Sequence, residues 1–94
     1  MRPDPARLAR ARERMAGLGI DCLLLSVGPD LTYLTGYEAT PLERLTMLVV
    51  RATGDPVLLV PRLEAPRVTP HPEVFVLETW DETDDPVTRV AALA

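Results

Sequence analysis

The segment Pro29-Asp-Leu-Thr-Tyr-Leu-Thr-Gly-Tyr37 constrains the fold of this chain more than any other stretch. It lies between two apolar runs, Cys22-Leu-Leu-Leu25 and Thr46-Met-Leu-Val-Val50. Pro29 suits a first helical turn, because its fixed φ is already helical and its missing N–H would have no partner there. Leu31 and Leu34 share a face, and Gly36 can adopt the left-handed stop. The spacing therefore predicts one short amphipathic helix between two strands.

The flanking elements follow from the same rules. Residues 4–19 read as a helix, with Asp4 as cap, Pro5 in the first turn and Gly19 at the end. Its apolar stripe is Leu8, Ala11, Met15 and Leu18. Residues 20–26, with the apolar run Cys22–Leu25, show no alternation, which predicts a strand covered on both faces and hence interior. In such a strand Leu24→Ala is expected to cost about 2–5 kcal/mol. After a polar loop, 38–44, residues 45–51 and 56–60 form two strands joined by Ala52-Thr-Gly-Asp55, a tight hairpin.

Residues 61–68 are ambiguous, because Pro66 limits any helix there. The segment 69–72 is a loop, and 73–78 alternates as a strand with Val74, Val76 and Phe75, Leu77 on opposite faces. Asp85 caps a last helix with Pro86 in its first turn and a packing face of Val87, Val90, Ala91 and Ala94. That helix reaches Ala94 with no glycine cap, so the natural polypeptide is expected to continue and the fold to be truncated at its C-terminal end. The order gives an α/β layer structure with a mixed β-sheet flanked by helices.

Size and composition narrow the function. Ninety-four residues make a single domain, 1–94, and 47% hydrophobic residues with a mean hydropathy of +0.07 mark it as globular. No apolar run reaches the roughly 18–20 residues of a membrane span. The Met-Arg-Pro-Asp-Pro start lacks a signal-peptide core, and the single Cys22 fits a reducing cytoplasm, where a buried packing thiol is the expected role. A net charge of −4 argues against nucleic acid. All ten basic residues are arginine. Those at 7, 10, 12 and 14, beside Glu13, read as a solvated helix face rather than a basic patch.

The residues offer little chemistry. Asp81, Glu82, Asp84 and Asp85 form the dense acidic cluster, directly before a helix, where carboxylates cap free amides and oppose the dipole. His71, between two prolines, reads as an exposed loop residue, and neither it nor Ser26 has a partner for a triad. Gly28 and Gly36 lack a phosphate-binding spacing. Trp80 reads as an anchor of the core edge or an interface, and Tyr33 as packed under the short helix. Tyr37, just after the helix-ending glycine, opens the loop.

As a pattern, Tyr33-Leu-Thr-Gly-Tyr37 resembles the signature of the amino-terminal domain of Xaa-Pro peptidases, a family that includes prolidase, aminopeptidase P and creatinase. Met15-Ala-Gly-Leu-Gly19, the Ile20–Leu25 strand, Leu42-Glu-Arg-Leu-Thr46, Gly54-Asp-Pro-Val-Leu-Leu-Val-Pro61, Leu63-Glu64 and Trp80-Asp81 follow in the family's order. The resemblance implies a ribonuclease H-like fold and a non-catalytic domain. It implies a separate pita-bread catalytic domain, absent from this chain, that binds two divalent ions, manganese or cobalt. The metal ligands belong to that domain, so no catalytic or metal residue is assigned here. The partners implied are the chain's own catalytic domain, a homo-oligomer neighbour and, in the parent enzyme, a peptide substrate. Tyr37, Glu38 and Arg44 become the candidate wall of the substrate cleft. The competing reading is a free-standing or catalysis-lacking protein-binding module of the same fold. A third is an unrelated small flavodoxin-like domain. What the gene encodes after Ala94 separates the first two.

Overall fold

The computed structural model describes residues 3–39 and 44–94. The elements run α1 (Pro5–Leu18), β1 (Cys22–Leu25), α2 (Pro29–Thr35), β2 (Met47–Arg51), β3 (Val57–Pro61), a 3-10 helix (Arg62–Arg67), β4 (Val76–Trp80) and α3 (Pro86–Leu93). The strands lie in the order β1-β2-β3-β4. The β1–β2 and β2–β3 pairs are antiparallel and the β3–β4 pair is parallel. This is the mixed sheet flanked by helices that the sequence predicts.

Local signals set the helix ends. Asp4 accepts from the Ala6 amide at 2.9 Å, and Gly19 closes α1 with a positive φ of 70°. Gly36, at φ 76°, closes α2 and donates its N–H to the Thr32 carbonyl at 2.8 Å. Leu31, Leu34 and Met15 are buried, and Leu8 and Ala11 pack against them. Leu18 departs from the expected stripe and is 65% exposed. At about 100° per residue it lies about 80° round the helix from Leu8, at the margin of the packed face.

β1 is not interior. Among the described residues it is an edge strand that pairs only with β2, and Leu24 is 44% exposed. Its other face is only partly covered. α3 reaches the middle of the sheet, where Val49, Leu59 and Val90 are buried, and Cys22 is only half-buried at that cluster's margin. A non-alternating run reports apolar faces, not the number of neighbouring strands. The cost expected for Leu24→Ala therefore belongs to a central residue instead.

The larger core lies on the opposite face. Leu48, Val50, Leu58 and Val60 meet α1, α2 and the segment 68–75. The hairpin turns at Gly54, with a φ of 85°. Arg12 ties α1 to it by donating to the carbonyls of Arg51, at 3.0 Å, and Gly54. This side chain is an anchor rather than part of a solvated face.

The strand predicted at 73–78 begins later, at Val76. The His71 carbonyl accepts from the Val74 and Phe75 amides at 2.9 and 3.0 Å, making a turn that buries both side chains. The expected alternation thus fails at Val74. His71 itself is tucked in, its side chain only 13% exposed, 3.5 Å from Glu73 and ring-to-ring with Phe75. In α3 the packed residues are Val90 and Leu93. Val87 lies about 120° from Leu93 and is exposed, as are Ala91 and Ala94.

α3 is also clamped to β4. Arg89 donates twice to Glu78, at 2.5 and 2.7 Å, and this holds the Glu78 carboxyl below the usual carboxylate range, against a smaller upward push from burial. The folded-state pKa is the lower one, so the pair's contribution is complete above the unfolded value of about 4.3 and is lost as pH falls through the folded value. Both side chains reach solvent, so the effect stays under about 1 kcal/mol. Melting curves between about pH 6 and pH 3 should fall more steeply for the wild type than for Arg89→Met.

Candidate functional site

Tyr37 is held by the end of α2. Thr35 Oγ1 donates to the Leu31 carbonyl at 2.8 Å and accepts the Tyr37 N–H at 3.1 Å. Thr32 Oγ1 donates to the Tyr37 carbonyl at 3.1 Å. Two threonine hydroxyls thus fold the backbone back after Gly36 and carry the tyrosine ring into the larger core. Burial pushes the Tyr37 phenol up, and the nearby Glu64 carboxylate adds to this while Arg67 opposes it. Glu64 is itself mostly covered and faces Arg67 at 3.6 Å. The 3-10 helix therefore brings a carboxylate and a guanidinium towards Tyr37. The sequence gives no sign of this, because Pro66 makes 61–68 ambiguous.

The other candidate wall residues are spread out. Glu38 is exposed. Residues 40–43, which include Pro41 and Glu43 of the loop, lie outside the described residues. Arg44 reaches across 38 positions to pair with Glu82. Beside it, Trp80 Nε1 donates to the Leu45 carbonyl at 2.9 Å, and Arg62 pairs with Asp81 at 3.0 Å. Trp80 is thus the core-edge anchor that was expected, and it fixes where the loop re-enters β2. Arg44, Arg62, Trp80, Asp81 and Glu82 line a shallow cavity of about 220 Å³ there.

The acidic cluster is occupied in structural work. Asp84 accepts the Asp81 N–H at 2.8 Å. Asp85 accepts from Thr88 Oγ1 at 2.7 Å and from the Val87 and Thr88 amides. These bonds, the threonine hydroxyl first, hold its carboxyl below the usual range. Among the described residues no group of three or more His, Cys, Asp or Glu side chains converges for a metal ion. Nor, among them, is any helix long and apolar enough to cross a membrane.

Tyr33 does not pack under α2. It is 41% exposed, with the Arg7 guanidinium 4.7 Å over its ring and Arg10 donating to its hydroxyl at 3.0 Å. Its polar rim position follows from these two arginines one turn apart on α1.

The family described as creatinase/prolidase N-terminal domain matches residues 7–94. The chain belongs to that family. The probable dipeptidase PepE of Mycobacterium tuberculosis is 39% identical over 90 residues, covering 93% of this chain and 24% of the relative. The dipeptidase PepE structure from Mycobacterium ulcerans superimposes with a TM-score of 0.79 at 34% identity, covering 99% of this chain and 27% of that one. A creatinase/prolidase N-terminal domain of an X-Pro dipeptidase from Streptococcus pyogenes superimposes with a TM-score of 0.77 at 25% identity, covering 97% of this chain and 69% of that one. This creatinase/prolidase amino-terminal domain thus spans about a quarter of the length of the full-length relatives.

Proposed function

We propose that this chain is the non-catalytic amino-terminal domain of a metal-dependent peptidase acting on Xaa-Pro bonds, of the aminopeptidase P or prolidase type. The observation that carries this reading is the family match over 7–94, joined to relatives named dipeptidases of which the chain spans only a quarter. In this reading the remaining length holds the pita-bread domain with its two divalent ions, manganese or cobalt. The described residues of this chain offer no fitting ligand set, so no catalytic step runs through them. The domain works in the cytoplasm, docks on its own catalytic domain and on an oligomer neighbour, and helps wall the peptide cleft.

Tyr37, Glu38 and Arg44 are the proposed wall. Two features support the assignment. The loop leaves a glycine-terminated helix and re-enters a buried strand beside Trp80, so rigid elements hold both ends. Arg44 also sits on the surface, where its pairing with Glu82 costs little to exchange for a substrate carboxylate. The test is kinetic and uses the full-length enzyme. Arg44→Ala should lower kcat/KM for Xaa-Pro dipeptides at least about threefold, with metal content and Tm nearly unchanged. Tyr37 is buried, so its variant is Tyr37→Phe, which removes the hydroxyl without emptying the core. Wild-type kinetics in both variants would make the loop a plain connector. A gene that ends at Ala94, or continues into a domain without ligands for the two metal ions, would instead favour the protein-binding module.

A further inference from the structure

The two long helix-to-strand exits of this fold both pass through a left-handed glycine, yet they are fastened differently. At the end of α1 the main chain does all the work. Gly19 donates to the Ala16 carbonyl at 3.2 Å and Ile20, the next residue, donates to the Met15 carbonyl at 2.8 Å, the paired bonds of a Schellman stop. At the end of α2 only the glycine bonds in this way, its N–H to the Thr32 carbonyl at 2.8 Å. That single-bond stop gives the following amide, of Tyr37, no helical carbonyl.

Threonine hydroxyls hold Tyr37 instead. Thr35 Oγ1 accepts the Tyr37 N–H at 3.1 Å while donating to the Leu31 carbonyl at 2.8 Å. Thr32 Oγ1 donates to the Tyr37 carbonyl at 3.1 Å. Both main-chain polar groups of one residue are thus fixed by side chains one turn apart. Thr35 is 1% exposed and Thr32 half-buried, so water competes little for the first of these bonds. A glycine stop does not require such hydroxyls, as α1 shows. What they add is a set heading for the chain as it leaves Tyr37 for Glu38 and the loop.

We propose, resting on the cleft-wall reading, that Thr35 and Thr32 are positioning residues for substrate binding. They act through the Tyr37 peptide, whose placement sets where Glu38 and the start of the loop stand against a bound Xaa-Pro peptide. Losing a hydroxyl misplaces the wall without touching the reacting groups, so the defect falls on KM rather than on kcat.

The experiment is steady-state kinetics of the full-length enzyme on Xaa-Pro dipeptides. Thr35→Val keeps the side chain's shape and should raise KM at least about fivefold, with kcat within about twofold of wild type. Thr35→Ser retains the hydroxyl and should bring KM back to within about twofold. Thr32→Val, at a less buried position, should raise KM about two- to threefold, and it carries the test if Thr35→Val does not fold. Val49→Ala, buried on the α3 face of the sheet, is the stability control; it should lower Tm and leave KM unchanged. Wild-type KM in both valine variants, with Arg44→Ala impaired, would overturn the proposal and leave the wall standing. Wild-type kinetics in Arg44→Ala and Tyr37→Phe would remove the wall and the proposal together. Failure of Thr35→Ser to restore KM, or an equal rise in Val49→Ala, would make the hydroxyls matter for stability alone and would also overturn it.

Discussion

Leu58→Ala should be among the most destabilising single truncations in this domain, lowering its stability by about 2–5 kcal/mol. Leu58 is fully buried in the middle of the sheet, paired with Leu48 of β2 on one side and Leu77 of β4 on the other. Neighbours on both sides restrict collapse around the lost methyl groups, so the cavity stays. Small domains hold only about 5–15 kcal/mol in total, and for a chain of this size a loss of about 3 kcal/mol lowers Tm by about 12–24 °C. Leu24→Ala is the matched control. It removes the same atoms from the edge strand, where the side chain is already part-exposed, and should cost less than about half as much. Thermal melts of the two variants side by side give the comparison. Equal losses would mean that β1 is covered by something beyond the described sheet.

Signals carried by a few neighbouring residues were legible: the Asp4 and Asp85 caps, Pro29 with Gly36 around α2, and Gly54 in the hairpin. Each depends on backbone geometry that one or two residue types satisfy. The number of strands flanking β1 is a global property, and an apolar run reads the same at an edge as in the middle. The late start of β4 was hidden because a turn closed by the His71 carbonyl buries Val74 and Phe75 together, against strand alternation.

Of the proposed wall, the sequence shows Tyr37 only as the residue after the glycine stop. Its burial depends on hydroxyls at Thr32 and Thr35 and on the 3-10 helix that carries Glu64, about 30 positions away. The partner of Arg44 lies 38 positions off, and no spacing rule reaches that far.

If this is the amino-terminal domain of a two-domain peptidase, then turnover belongs wholly to the other domain. One histidine and one cysteine, the histidine engaged with Glu73 and Phe75, leave no assembled nucleophile, base or ligand set among the described residues. The measurement is hydrolysis of Xaa-Pro dipeptides and longer Xaa-Pro peptides by the purified 94-residue chain, with manganese or cobalt added, beside the full-length enzyme. Turnover is expected from the full-length enzyme and, for the chain alone, a rate equal to that of metal in buffer. Metal-dependent cleavage that copurifies with the 94-residue chain and vanishes in a single-residue variant would contradict it.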